Sequence, residues 1–208
     1  MDKSLPDISP KKAILAMLLI GSILGLVVLF VSRFNYSPGW DFKHNLWAPA
    51  HLLVNSRSPY NIEDLFENGN AVWLPMAIGA FLPLGLLPLQ QASNLWWFIN
   101  CVGLIALVWL SSGSKRPQII LFTVILLMAF LFPPTISHFD LGQFTIIICL
   151  FFLIISTFED RLHPFFLGLF FAVSLSKPQL TIFVLPGYFY AYFKRHGFSR
   201  TIQFFLLV

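Results

Sequence analysis

A run of 47 consecutive residues without a formal charge, residues 68–114, constrains the fold of this chain more than any other feature. Soluble domains carry about a quarter charged residues, whereas here 57% of the 208 residues are hydrophobic and only 11% are charged. The run has room for two helices of about 20 residues, the length that crosses a hydrocarbon core of about 30 Å. The sequence therefore predicts an all-α fold, a polytopic transmembrane helical bundle, and excludes most soluble folds.

Other apolar segments extend this pattern along the chain. We expect the segment nearest the N-terminus to be retained, because it lacks a small-residue cleavage site. The last segment is still apolar at Val208, and a helix cannot stop in lipid without satisfying its terminal carbonyls. We therefore expect residues 1–208 to be one transmembrane domain, the N-terminal half of a longer protein. The predicted spans are 13–32, 92–110, 118–134, 144–158, 164–176, 179–193 and an incomplete span at 201–208.

The apolar segment 72–88 decides the topology, because counting it as a span inverts everything after it. Three prolines and two glycines interrupt it, and proline removes helical hydrogen bonds and kinks helices. We therefore predict a re-entrant or interfacial hairpin. With this hairpin, nine of the 13 basic residues lie on the cytoplasmic side, as the positive-inside rule requires. The four basic residues on the outer side are Arg33, Lys43, Arg57 and Lys177.

The tryptophans favour the same orientation. Amphipathic aromatic rings are enriched at headgroup depth, and only Trp109 falls at the predicted inner interface. The other five are expected at or near the outer one: Trp40, Trp47, Trp73, Trp96 and Trp97.

The predicted topology brings three polar segments to the outer face: the loop 33–71, the junction 135–143 and the turn 176–179. Polar side chains at membrane depth are costly and usually face a cavity or a partner. We therefore expect the functional site here. The polar residues that meet on this face are Asp41, His44, Arg57, Tyr60, Glu63, Asp64, His138, Asp140, Gln143, Lys177 and Gln179.

Asp41 follows the first predicted span by about eight residues and precedes a helix-like stretch. One interpretation is an N-cap, since aspartate accepts hydrogen bonds from first-turn amides. The other is a general base. The two roles are compatible.

His138, Asp140 and Gln143 can be read as a polar turn between helices, although they offer more hydrogen-bonding chemistry than a turn requires. Lys177 interrupts an apolar stretch and precedes Pro178. Its ammonium either snorkels to lipid phosphates or contacts a substrate phosphate as a point charge.

Asp41, His44 and His51 would fall roughly on one face of a helix. Two histidines and one carboxylate at this loose spacing are weak support for a metal site, and a structural or hydrogen-bonding role is favoured. We predict no cofactor and no metal site, although a divalent-metal requirement stays open. The acidic residues Glu63, Asp64 and Glu67 resemble a solvated loop surface. The net charge of +4 does not indicate nucleic-acid binding, because the basic residues flank apolar segments.

At these residues the chain resembles the polytopic type C glycosyltransferases of family 87, which include polyprenol-phosphate-mannose-dependent alpha-mannosyltransferases. The order and spacing of short elements carry the resemblance, since each element alone is common. They are Asp41, Ala48-Pro49-Ala50, Leu52-Leu53, Ser58-Pro59-Tyr60, Trp73-Leu74-Pro75, Pro83-Leu84, Leu87-Pro88, Ala92, Trp96, Gly142-Gln143 and Lys177-Pro178.

The resemblance implies an inverting hexosyltransferase, with mannose as the expected sugar. The donor would be a polyprenyl-phosphate sugar and the acceptor a lipid or glycan outside a bacterial plasma membrane. Asp41 would be the general base, and Lys177, with Arg57 or His138, would offset charge on the departing phosphate. Asp140 and Gln143 would bind sugar hydroxyls. His44, Tyr60 and Gln179 are further candidates for substrate binding.

Two other functions remain open on the sequence. One is a component of a membrane transporter, although transporters tend to show internal repeats and polar residues near the midplane, and no repeat is evident here. The other is a truncated, non-catalytic relative that keeps the fold.

Overall fold

The computed structural model describes residues 39–67, 75–112, 119–158 and 160–206. Within these ranges every regular element is helical, which confirms the predicted all-α class. The predicted span 13–32 and Trp73 lie outside the described residues. The helices, in chain order, are α1 (Phe42–Trp47), α2 (Ala48–Val54), α3 (Pro75–Gly85), α4 (Leu89–Ser111), α5 (Ile119–Leu131), α6 (Pro133–Leu141), α7 (Thr145–Phe158), α8 (Pro164–Leu175) and α9 (Pro178–Leu206), with a 3₁₀ turn at Ile62–Asp64.

Within the described part of the chain, α4 is the one helix that is long and apolar enough to cross a membrane by itself. It has 23 residues and contains the predicted span 92–110. Two bent pairs could each form a broken span or a re-entrant loop: α5 with α6, bent by 60°, and α8 with the start of α9, bent by 120°. Helices α5, α7 and α8 coincide with predicted spans, and their crossing of the membrane stays a prediction.

Helix α3 occupies the segment predicted as a hairpin. Its 11 residues extend only about 16 Å at 1.5 Å per residue, too short for a bilayer core of about 30 Å. Carbonyl groups at the C-terminal end of α3 and in the turn after it are bonded by side chains of the preceding helices: His51 Nδ1 lies 2.8 Å from the Gly85 oxygen, and Trp47 Nε1 donates to the Leu87 oxygen at 3.0 Å. These bonds satisfy carbonyls that a helix end leaves free. The re-entrant path itself stays a prediction.

The main core lies where α1 and α2 pack against α3, α4 and α7. Trp47 and Trp96 are buried in it, each only 6% exposed. A buried indole N–H needs an acceptor, and both find a backbone carbonyl, Leu87 for Trp47 and Gly142 for Trp96. The rings of Trp47 and Trp96 are therefore covered by protein, whereas Trp40 and Trp109 are about half exposed, and the place of all four at a membrane interface stays a prediction.

A second, smaller core lies at the other end of α7. Ile155, Leu167 and Phe171 form it, and tyrosine and phenylalanine side chains of α9 pack against them. Helix α9 is interrupted at Gly197, where the backbone leaves the helical conformation. The two cores together hold α7 and α8 side by side, so the turns at their ends have fixed places.

Candidate functional site

Three chain segments meet above the main core: the start of α1, the α6–α7 turn and the α8–α9 turn. Gly39 lies so close to the end of α6 that a Cβ at this position would stand 2.5 Å from the Asp140 carbonyl oxygen. Gly142 ends α6 with φ 69°, a left-handed conformation that favours glycine. A Cβ there would lie 2.5 Å from that of Phe42. The backbones therefore approach closely because both positions lack side chains.

The junction 135–143, read from the sequence as a polar turn, is mostly helix. Pro133 and Pro134 begin α6, because proline is tolerated in the first helical turn where its missing N–H costs nothing. Trp96 donates its indole N–H to the Gly142 carbonyl at 3.0 Å. The turn that presents Gln143 is thus anchored to α4 from below.

Lys177 lies in the two-residue turn between α8 and α9, outside both helices. Its Nζ donates to Thr145 Oγ1 at 2.8 Å and lies 3.4 Å from Gln143 Oε1. Burial lowers the pKa of the Lys177 ammonium, and the Asp41 carboxylate opposes this by raising it. Two uncharged side chains of the α6–α7 region therefore orient the ammonium, while a carboxylate from the start of α1 acts on it electrostatically.

Asp41 is half-buried and already helical, with φ −63° and ψ −42°, and its side chain makes no capping hydrogen bond. The N-cap interpretation was therefore wrong: a cap residue has non-helical dihedrals and bonds the first-turn amides. Instead, Asp41 Oδ1 accepts a hydrogen bond of 3.1 Å from Nδ2 of Asn45. Among the described residues neither Asp41 nor Lys177 takes part in an ion pair. The two opposite charges therefore interact electrostatically without forming a direct ion pair.

The helix that carries Asp41 continues into α1, a π-helical segment of six residues. Such segments are rare and occur frequently at functional sites. Four of its side chains, those of Phe42, His44, Leu46 and Trp47, are buried together with Asn45. The packed segment fixes the position of Asp41 relative to the core beneath it.

His138 and Asn100 form a buried pair between α6 and α4, with 2.9 Å between His138 Nε2 and Asn100 Oδ1. Asn100 also donates its Nδ2 to the Trp96 carbonyl at 3.0 Å. Burial, and after it the positive charge of Lys177, lowers the pKa of His138 to about 4. His138 is thus held to α4 by Asn100, which the Trp96 carbonyl orients in turn.

The structure does not bring the other predicted site residues into direct contact with Lys177. Asp140 is half-buried two residues before Gly142, and Gln179 is exposed at the start of α9. His44 is buried, with Nδ1 3.0 Å from the Trp40 carbonyl oxygen and its ring against Phe66. In the loop after α2, the side chain of Tyr60 is exposed and Arg57 pairs with Asp64.

The two histidines of the first helical stretch serve separate backbone carbonyls. His51 is bonded to Gly85, whereas His44 is bonded to Trp40. Within residues 39–67, 75–112, 119–158 and 160–206, no group of three or more histidine, cysteine, aspartate or glutamate side chains could hold a metal ion. Both rings thus have hydrogen-bonding partners in the fold.

Three residues of this site were missed in the sequence: Asn45, Asn100 and Thr145. All three are uncharged, so charge counting passes over them. Two signals could have found the asparagines. Asn45 stands four residues after Asp41, a spacing that makes side chains neighbours on a helix, and Asn100 is an amide in the middle of a predicted span. No sequence pattern marks Thr145, because its hydroxyl accepts a hydrogen bond from Lys177 only once the turn between α8 and α9 places that residue beside it.

A family model described as glycosyltransferase family 87 matches residues 74–206, more than half of the chain. The matched range contains His138, Gln143, Thr145 and Lys177 and begins after Asp41 and Asn45. No curated protein and no solved structure matches the chain.

Proposed function

We propose, from the premise that the chain belongs to glycosyltransferase family 87, that it transfers a hexose from a polyprenyl-phosphate-linked donor to a lipid or glycan acceptor with inversion. Mannose is the proposed sugar. The family is one of glycosyltransferases, and the apolar helices indicate a membrane protein. We place the reaction on the extracytoplasmic face of a bacterial plasma membrane, because the topology predicted from the basic residues brings the polar segments together on that side.

One observation carries the proposal: a carboxylate and an ammonium converge on one site without pairing. Lys177 is held by Thr145 and Gln143, and the charge of Asp41 acts on it through space. Paired charges would neutralise each other, whereas separated ones can each act on a part of a substrate. A lipid-phosphate sugar needs both kinds of group, a base for the acceptor and a cation for the phosphate.

In the proposed reaction, Asp41 accepts the proton of an acceptor hydroxyl as general base. The acceptor oxygen forms a bond to the anomeric carbon of the donor sugar, while the bond from that carbon to the phosphate oxygen breaks. A single displacement of this kind inverts the anomeric configuration. The electron pair of the broken bond stays with the polyprenyl phosphate, whose growing negative charge is offset by Lys177.

The orientation of the ammonium supports its role. Thr145 and Gln143 bind Lys177 through neutral oxygens, so they fix its position without cancelling its charge. Preorganised charges of this kind stabilise a developing anion without reorganisation during the reaction.

The remaining predicted residues complete the proposed substrate site. We assign sugar hydroxyls to Asp140 and Gln143, which flank the Gly142 turn. His138 lies within electrostatic range of Lys177. It would help Lys177 to offset the negative charge on the departing phosphate. The residues proposed to contact the rest of the substrates are His44, Arg57, Tyr60 and Gln179.

The substitution Asp41→Asn tests this function in the full chain reconstituted in lipid vesicles with a polyprenyl-phosphate mannose donor. The amide keeps the size of the side chain but cannot take a proton, so we expect transfer to fall at least 100-fold, the lower range for general acid–base catalysis. Asp160→Asn is the matched control, since Asp160 is an exposed carboxylate in the α7–α8 loop. Unchanged turnover in Asp41→Asn with intact insertion would refute the assignment of the base.

A further inference from the structure

Asn100 is a polar residue in the middle of α4, a helix that is long and apolar enough to cross a membrane. Its side chain is only 2% exposed, and polar groups at membrane depth are costly and tend to be functional. Both ends of the amide have partners: Nδ2 donates to the Trp96 carbonyl at 3.0 Å, and Oδ1 lies 2.9 Å from His138 Nε2. Asn100 is therefore a candidate for a specific role.

The chemistry of these two bonds determines the tautomer of His138. A backbone carbonyl only accepts hydrogen bonds, so the part of Asn100 that faces Trp96 is its NH₂ group. The amide oxygen therefore faces His138, and because this oxygen also only accepts, a proton must lie on Nε2 of the ring. Burial and the charge of Lys177 lower the pKa of His138 to about 4, so at pH 7 the ring is neutral and Nδ1 has no proton.

These bonds belong to a closed circuit around the α6–α7 turn. Trp96 donates its indole N–H to the Gly142 carbonyl at 3.0 Å. The backbone N–H of Gln143 donates to the His138 carbonyl, also at 3.0 Å, and this returns the series of bonds to the residue where it began. Asn100 joins the α4 side of the circuit to the α6 side. Because hydrogen bonds in a network reinforce one another, the loss of Asn100 should loosen the whole turn.

The turn carries the side chain that contacts the ammonium of the site. Gln143 Oε1 lies 3.4 Å from Lys177 Nζ, so a movement of the turn changes how Lys177 is oriented. A misplacement of about 1 Å, caused by a substitution far from the chemistry, can lower a rate about 100-fold. A residue buried in α4 can therefore influence the reaction without contacting a substrate.

We propose that Asn100 is a positioning residue: it holds the Nε2–H tautomer of His138 and thereby fixes the turn from which Gln143 orients Lys177. This inference rests on the proposed function, in which Lys177 offsets the charge on the departing phosphate. It also specifies how His138 contributes. The ring helps Lys177 through the position of the α6–α7 turn and not as a second cation.

Nuclear magnetic resonance of the full chain in nanodiscs, with ¹⁵N in the histidine rings, tests the tautomer. His138→Gln identifies the signals of this ring by difference. We expect a neutral ring with its proton on Nε2 at pH 7 in the wild-type protein. In Asn100→Leu the acceptor is removed, so the proton should move in part or fully to Nδ1. The matched control is Asn94→Leu, because Asn94 bonds Gln90 on the same helix, and it should keep the wild-type tautomer.

Three results would overturn the inference: an imidazolium at pH 7 in the wild-type protein, a neutral ring with its proton on Nδ1, or an unchanged tautomer in Asn100→Leu. If Asn100→Leu fails to fold, Asn100→Ala removes the same oxygen without a branched side chain, and the same movement of the proton is expected. The wild-type measurement needs no substitution at Asn100 and can refute the bond by itself.

A double-mutant cycle tests whether Asn100 acts through Gln143. We expect Asn100→Leu and Gln143→Ala each to reduce hexose transfer about tenfold, within the range for misplaced groups. The double variant should lose about the same factor as either single variant, because residues of one network are not additive. A merely structural Asn100 would act independently, and the two losses would multiply to about 100-fold. Multiplied losses would refute the positioning role.

The two measurements separate this inference from the proposed function. The tautomer is measured without a substrate, so it tests the bond between Asn100 and His138 even in a protein that transfers no hexose. Absence of transfer in the wild-type protein would refute the proposed function, whereas movement of the proton in Asn100→Leu would still support the circuit. Transfer with multiplied losses in the cycle would support the proposed function and refute the role of Asn100.

Discussion

The loop after α2 and the turn after α8 each hold a cation near a carboxylate, yet the two arrangements differ. In the loop, Arg57 and Asp64 form a direct ion pair, and their side chains are 47% and 39% exposed. In the turn, Lys177 is half-buried, bonded to Thr145 and Gln143, and only senses Asp41 through space.

In the loop, two opposite charges neutralise each other in a direct ion pair. In the turn, the charge of Lys177 is held by neutral groups and can still interact with a substrate. An exposed pair such as Arg57 with Asp64 costs little to form and contributes little, because water screens it. A half-buried ammonium loses solvation, and this must be offset by fixed partners. The neutral oxygens that hold Lys177 leave its charge uncancelled, and this is the property a phosphate-binding group needs.

We expect the largest effect when the positive charge of Lys177, in the turn between α8 and α9, is removed. We expect Lys177→Gln to reduce hexose transfer about 100-fold or more, the usual result of removing a preorganised electrostatic group. The glutamine can still bond Thr145 and Gln143, so the fold should persist. Initial rates with a polyprenyl-phosphate mannose donor measure the effect.

The control for this change is Lys194→Gln, because Lys194 is an exposed cation over the ring of Tyr190 on α9. Equal rates for Lys177→Gln and Lys194→Gln would contradict a specific role of the Lys177 charge in hexose transfer.

An intermediate effect should follow a change in the turn that positions Gln143. Gly142→Ala must place a side chain at φ 69° and against the Cβ of Phe42. We expect the free energy of unfolding to fall by about 2 kcal/mol, from backbone strain and overpacking. Thermal unfolding of the purified protein measures this.

Gly187→Ala is the matched comparison, since a Cβ there meets nothing within 4 Å. In a helix interior alanine is favoured over glycine by up to about 1 kcal/mol, so the melting temperature should not fall. A similar loss in both variants would show that the α6–α7 turn has no special constraint.

The smallest effect should come from the exposed pair. We expect Asp64→Asn to change the free energy of unfolding by less than about 1 kcal/mol, as measured for exposed ion pairs. Added salt should reduce even this difference, because it screens surface charges. A loss of several kcal/mol in Asp64→Asn would mean that the loop pair supports the fold and that the contrast with Lys177 is wrong.

Much of the helical framework could be predicted from the sequence. Apolar runs bounded by proline or polar residues predicted segments that the structure shows as α4, α5, α7 and α8. The break at Lys177-Pro178 was also expected, since the residue before proline disfavours the helical conformation. Of the predicted site residues, Gln143 and Lys177 meet directly, and Asp41 and His138 lie within electrostatic range of the ammonium.

Other parts of the site could not be predicted, because they depend on contacts between distant segments. Tryptophan is a residue type typical of membrane interfaces, so the burial of Trp47 and Trp96 is not evident from the sequence. In the fold, the carbonyl groups of Leu87 and Gly142 accept hydrogen bonds from the two buried indole N–H groups. Asp41 has the position of a cap, and only the helical turn that begins before it and the amide of Asn45 exclude that role.

The sequence by itself determined that the chain folds into apolar helices and which few charges it can place among them, because hydrophobicity and proline act locally. The tertiary structure alone decided which of those charges are paired with each other and which are held by neutral oxygens. That outcome depends on the close approach of backbones at Gly39 and Gly142, where the lack of a side chain lets α1 lie against the end of α6.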